Sequence, residues 1–247
     1  MKGGWPVNSN DFEVLRKPFI SGRQSPSKLG SILPLAAVAQ TGLYALQYWV
    51  TSAQTVHPKK DDILQWHFWI TALLVALSLI YSIPPVYRKF ERGQYLISIL
   101  VSQNIFAVNG YLIALFILGL NGTGISPQRL MTTTWITLGI GAAVFLLSAI
   151  RFRSKLKEGA YRAGTRVDQA RENLEYRSYL PIAAAAGLGI VITMQSYIRA
   201  TGLEGLNEMT AIILGLASFY VMLVVLPEQL VILYCKYCYP EFNFYIK

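Results

Sequence analysis

A chain of 247 residues that is 53% hydrophobic and only 14% charged, with a net charge of +9, is suited to lipid rather than water, since soluble domains carry about 25% charged residues. No stretch between its apolar runs is long enough for a separate soluble core, which leaves one membrane domain. The surplus of Lys and Arg lacks the aromatic interleaving of a nucleic-acid groove and reads instead as topology and headgroup contact.

Residues 1–31 hold charges, Pro and Ser but no short apolar core ending in a cleavage site. They are expected to be a cytoplasmic N-terminal segment ahead of an uncleaved first anchor. Four apolar runs follow, at 32–53, 63–84, 95–120 and 131–150. Each has the length of about 20 residues that a hydrocarbon core of about 30 Å requires. A basic connection fills 151–178, a fifth run covers 179–198, and a sixth begins at 209. That last run ends at 226, or at 234 if Pro227 only kinks the helix, and 235–247 forms a tail. The fold class is thus all-α: a polytopic helical membrane protein with about six transmembrane helices, 32–150 holding the first four and 179–234 the last two.

Charge sets the orientation. With the N-terminus inside, only Lys59, Lys60, Arg129 and Arg199 of the 22 Lys and Arg fall outside, a strong positive-inside bias. An even number of spans puts both termini inside. Tyr48, Trp49, Trp66, Trp69 and Trp135 lie near the expected outer ends, and Tyr81, Tyr87, Tyr234, Tyr237 and Tyr239 near the inner ones. Amphipathic rings favour headgroup depth, so these are read as anchors.

The outer connections are short. Asn121-Gly122-Thr123-Gly124 suits a turn and also fits a glycosylation acceptor, the turn being favoured. In 151–178, Leu156, Ala160, Ala163, Val167, Ala170 and Leu174 form a narrow helical stripe among many charges, with Gly159 and Gly164 positioned for a bend. Arg151, Arg153, Lys155, Lys157, Arg162, Arg166 and Arg171 there form a candidate surface for a protein partner or lipid headgroups. Gly139, Gly141, Ala142 and Ala143, with Ala183–Ala186, Gly187 and Gly189, should let the fourth and fifth runs pack closely against each other or another subunit.

Ionisable groups inside spans are costly and rare, and here no span has an Asp, Lys or Arg near its centre. That argues against an ion-coupled pump. Glu228, next to Pro227, is the one carboxylate of interest: either a coupling group or one satisfied by water or a nearby cation. Gln103, Asn104 and Asn109 must find partners, for which Gln40, Gln47 and Gln195 are available; with Glu228 they are candidates for a polar path or for interhelical contacts. His67 reads as interfacial, and Cys235 and Cys238 as plain interfacial thiols, since a zinc site would need further ligands on their side.

No nucleophile, metalloprotease or phosphate-loop motif is present. The expected activity is therefore a non-enzymatic integral membrane subunit of a multi-protein complex: a transport accessory, permease-like or protective component. No cofactor and no metal is expected, and the partners are membrane lipids and other membrane or cytoplasmic-side subunits. The plasma membrane is favoured over an organellar inner membrane. The alternatives are a stand-alone carrier for a neutral or amphiphilic solute and a lipid-modifying membrane enzyme.

Overall fold

Ser25-Pro26 and Ser126-Pro127 open two of the long helices in the same way. Each Ser hydroxyl accepts a backbone N–H three residues on, from Lys28 and from Arg129 respectively. Each Pro occupies the first helical position, where a missing N–H costs nothing. The computed structural model describes residues 9–120, 124–176 and 204–245. In chain order its helices are α1 (Glu13–Ile20), α2 (Pro26–Leu46), α3 (Lys60–Ser82), α4 (Pro84–Lys89), α5 (Glu91–Ser102), α6 (Asn109–Leu118), α7 (Pro127–Lys157), α8 (Arg166–Tyr176) and α9 (Glu204–Cys238).

Among the described residues, five helical stretches are long and apolar enough to cross a membrane: Pro26–Thr51, Lys60–Ser82, Glu91–Leu118, Pro127–Lys157 and Glu208–Cys238. This is the make-up of a multi-pass membrane protein, and it matches the first four expected runs and the last. The fifth expected run, 179–198, lies outside the described residues, as do Gln195, the small residues of that run, and Asn121 to Thr123. The helix α7 continues to Lys157 rather than stopping at Ile150, its basic residues falling where the helix C-terminus favours cations. The helix α9 also runs through Pro227 to Cys238, so the proline sits inside a span that does not end there.

Two spans contain a π-helical turn: Gln47–Thr51 continues α2, and Gln103–Val108 joins α5 to α6. Such turns widen the helix and release backbone carbonyls from the usual ladder. At the second, the Asn109 side chain donates to the Asn104 carbonyl at 2.7 Å. Between α3 and α4, Pro84 forces Ile83 out of helical geometry to φ −75° and ψ 124°, and the chain turns there.

The α5–α6 span is the hub. Of its most apolar window, 56% is buried, against 11% for α7. It packs on α2 and α3 on one side and on α9 on the other. At the crossing of α6 and α9, a Cβ at Gly215 would collide with the Gly110 carbonyl, so glycine sets how closely the two backbones approach. In α7, Gly141 faces Phe219 of α9, while Gly139, Ala142 and Ala143 are exposed. Only part of the small-residue stripe is therefore used for packing among the described residues.

One end of the bundle is closed by a cap. Phe12, Val14, Leu15 and Phe19 are fully or nearly fully buried against Tyr95, Leu156, Tyr161, Ile232, Cys235 and Phe242. Burial of a side chain of this size contributes about 1.5–3 kcal/mol relative to exposure. The segment from Ser9 to Ile20 is therefore a packed element that joins the ends of α5, α7 and α9 to the C-terminal tail. At the opposite end, the loop end, Thr55 pairs with Leu120 and Val56 N–H bonds to the Gly119 carbonyl at 2.7 Å.

Candidate functional site

The amides are gathered by the π-helical turns. Asn104 Nδ2 donates to Gln40 Oε1 at 3.0 Å and to Thr71 Oγ1 at 3.3 Å. Its Oδ1 lies 3.1 Å from His67 Nε2. Gln47 Nε2 donates to Asn109 Oδ1 at 2.6 Å, and Asn109 closes the chain onto the Asn104 backbone. The cluster thus ties α2, α3 and the α5–α6 span together at buried positions. Because a carboxamide oxygen can only accept, His67 must donate from Nε2. Among the described residues, Gln40 Nε2, Gln47 Oε1 and His67 Nδ1 find no hydrogen-bond partner.

The four expected polar candidates fall in three places. Asn104 and Asn109 share the cluster above. Gln103 points to the other neighbour, donating to Gln229 Oε1 at 3.1 Å and the Met222 carbonyl at 3.4 Å on α9. Glu228 sits at the capped end, where Arg171 of α8 reaches both carboxylate oxygens at 2.7 and 2.6 Å. All four make hydrogen bonds between helices, Gln103 turning to α9 and Glu228 to α8 while the asparagine pair faces α2 and α3.

The seven basic candidates also divide. Arg162 pairs with Asp11 at 2.7 Å from the exposed surface of the cap, and Arg171 pairs with Glu228 as a part-buried strut. Arg171 also stacks over the buried Tyr161 ring, 5.7 Å from its centroid. Burial and the nearby Glu228 push the Tyr161 hydroxyl up, Arg171 and Arg151 opposing. Arg151, Arg153, Lys157 and Arg166 are exposed and Lys155 is half-buried. The frame carrying them is held by Gly159 and Gly164, which take φ of +72° and +77° to turn the chain between α7 and α8. The expected stripe is interrupted there: Leu156, Ala160 and Val167 pack into the cap core, whereas Ala163 and Ala170 are exposed.

Several strong interactions involve residues the sequence did not single out as sites. Lys236 donates to Glu91 Oε1 at 2.6 Å and to the Phe242 carbonyl at 2.9 Å, and its ammonium lies 4.7 Å from the Phe19 ring centroid. Glu91 Oε2 accepts the N–H groups of Phe244 and Tyr245. Gln94 Nε2 bonds to the carbonyls of Pro26 and Tyr81. Lys17 and Asp168 pair at 2.5 Å. The Lys17 hydrogen bond, helped by the Gly164 N–H, holds the Asp168 carboxyl below its ordinary range, although burial works the other way. The only sequence signal for these partners is an acidic residue beside a basic inner loop or tail; nothing local reveals a partner 145 positions away.

At the loop end, His57 is buried and its tautomer follows from its neighbours. Nδ1 accepts the Lys59 N–H at 3.2 Å, so the proton is on Nε2, 3.3 Å from Thr134 Oγ1. Burial lowers the pKa of this imidazole. The expected thiol pair divides by environment, Cys235 buried in the cap core and Cys238 exposed. A groove of about 590 Å³ opens between α2, α5 and α9, mostly apolar, with Gln24, Glu228 and Gln229 among its lining.

Comparison with protein-family models, curated proteins and solved structures finds no match to this chain.

Proposed function

We propose that this protein is a non-enzymatic integral membrane subunit of a multi-protein membrane complex, a transport accessory, permease-like or protective component. The observation that carries the reading is the construction of the capped end. Acidic partners inside the cap take up Lys17, Arg162, Arg171 and Lys236, and the frame they hold presents Arg151, Lys157 and Arg166 at its surface. A pre-ordered cationic face loses little freedom on docking, and its charge favours an acidic protein surface at the membrane.

The capped end is the inner side in this reading. It carries Arg88, Lys89 and Arg92 as well as the basic connection, as the positive-inside rule requires. The helix α8 is fastened there through Lys17–Asp168 and Arg171–Glu228, and α9 reaches the same end with its C-terminus. A sixth crossing by 179–198 then returns the chain to the outer side and places both termini inside. A plasma membrane is the favoured location.

The test is purification from native membranes in mild detergent, comparing wild type with Arg151→Glu/Lys157→Glu/Arg166→Glu. A stoichiometric protein partner whose recovery falls at least tenfold in the triple variant is the expected result. A partner-free wild-type protein that restores the phenotype of a deletion on its own would sink the proposal.

A second reading, a carrier for a neutral or amphiphilic solute, has the α2–α5–α9 groove in its favour. Liposome flux with Gln103, Asn104, Asn109 and Glu228 replaced in turn would test it; flux indifferent to every replacement removes these residues from that role.

A further inference from the structure

We propose that the groove between α2, α5 and α9 is a specific site for one membrane phospholipid, with an acyl chain lying along it and an amine-bearing zwitterionic headgroup at Glu228 and Gln24. Its dimensions suit a single leaflet. The lining runs along α2 from Leu29 to Ala39 and along α5 and its π-helical continuation from Tyr95 to Phe106. A run of about ten helical residues rises about 15 Å, half of a hydrocarbon core of about 30 Å. Leu29, Ile32, Ala36, Ile99 and Ile105 give the walls their apolar character. Ser98 and Ser102 also line the groove, but their hydroxyls are already donated to the Tyr95 and Ile99 carbonyls.

Polarity is concentrated at the capped end. There, Gln24 Oε1 is buried with no hydrogen-bond partner among the described residues, and both oxygens of Glu228 face Arg171. Glu228 lines the groove with its side chain 28% exposed, so the carboxylate remains reachable there, while Arg171 holds it from outside the lining. Held in place by Arg171, the carboxylate suits the ammonium end of a zwitterionic headgroup. A primary ammonium can donate to the remaining lone pairs of Glu228 and, once the half-buried Gln24 side chain rotates to turn Oε1 into the groove, to that oxygen as well, whereas choline has no N–H to give. The site is thus selective for ethanolamine over choline headgroups. It lies apart from the proposed partner face, since Arg151, Lys157 and Arg166 do not line it.

The experiment places a benzoylphenylalanine photo-crosslinker at Ala36 in the groove or at Ala142, exposed on α7. The protein is reconstituted in vesicles of equal phosphatidylethanolamine and phosphatidylcholine, extracted in mild detergent, washed until bulk lipid is gone, and irradiated. Mass spectrometry should find a lipid adduct at Ala36 but not at Ala142, with ethanolamine lipid enriched at least fivefold. Gln24→Ala, at a partly exposed loop position outside the spans, should bring that ratio close to one while thermal stability is kept. Headgroup selectivity unchanged in Gln24→Ala, equal recovery of both lipids, or no lipid adduct at Ala36 would overturn the proposal. An adduct from Ala36 to residues 179–198 of the same chain or to a second copy would overturn it as well. Native mass spectrometry of the unmodified chain, free of any crosslinker-induced disturbance, should show the same single retained lipid.

Discussion

Glu91 and Lys236 meet at 2.6 Å with both side chains 1% exposed, joining the start of α5 to the end of α9. The pair also fastens the tail, because the carboxylate accepts two tail N–H groups and the ammonium donates to a tail carbonyl. Removing one partner leaves the other charged and buried, which typically costs about 3–5 kcal/mol. Lys236→Met and Glu91→Gln should therefore each lower the unfolding temperature in detergent and expose the tail to carboxypeptidase. The double variant should recover much of the loss but not all, since the Phe242 carbonyl still lacks its ammonium donor. A double variant as unstable as the two losses added together would show that the residues do not act as a pair.

Asp168 gives the cap an acid-sensitive fastening. Lys17 and the Gly164 N–H keep it ionised at acidities where the unfolded chain takes up a proton. Its contribution is complete above an ordinary carboxylate value of about 4 and is lost as pH falls through the depressed folded value. Unfolding temperatures measured from pH 6 to pH 3 should fall more steeply in wild type than in Asp168→Asn, which starts lower and lacks this titration. Parallel curves would remove Asp168 from the acid response.

His57 should act at the loop end in a higher window. Its folded pKa is lowered by burial, and its Nδ1 is occupied as the acceptor of the Lys59 N–H. The unfolded chain therefore gains a proton first, and the stabilisation, complete above about pH 6.5, declines as pH drops below that value. Hydrogen exchange of the 52–60 backbone should quicken between pH 7 and pH 5.5 in wild type, after correction for intrinsic rates. In His57→Gln that pH-dependent increase should be absent; an identical increase would assign it to another group.

The spans were legible because lipid imposes a simple rule, about 20 apolar residues without a charge. The helix starts were legible too, as Ser25-Pro26 and Ser126-Pro127 carry local capping chemistry. The expectation that Asn104 and Asn109 would meet Gln40 and Gln47 follows from the need of amides in lipid for partners. What sequence could not convey is long-range pairing. Whether Arg171 faces a partner or Glu228, and whether Lys236 faces water or Glu91, depends on where α8, α9 and the tail come to rest. The packed role of Phe12, Val14, Leu15 and Phe19 was hidden for the same reason: a short amphipathic segment beside a membrane looks alike whether it covers lipid or its own bundle. The π-helical turns were equally hidden, since they answer to the hydrogen bonds of Asn104 and Asn109 and not to a breaker residue.

Asn104 is where the intramembrane cluster should be most vulnerable. Its amide serves Gln40, Thr71 and His67 at once, so Asn104→Ala strands polar groups on two neighbouring helices. An interhelical hydrogen bond in a membrane averages about 0.6 kcal/mol, and three lost together amount to about 2 kcal/mol. Asn104→Asp keeps the oxygen facing His67 but loses the N–H donors to Gln40 and Thr71, and so should not restore stability at neutral pH. Gln47→Ala disturbs only the Asn109 end and should cost less than Asn104→Ala. Unfolding of the three variants in mixed micelles would rank them; Gln47→Ala proving the most damaging would move the centre of the cluster from Asn104 to the Asn109 end.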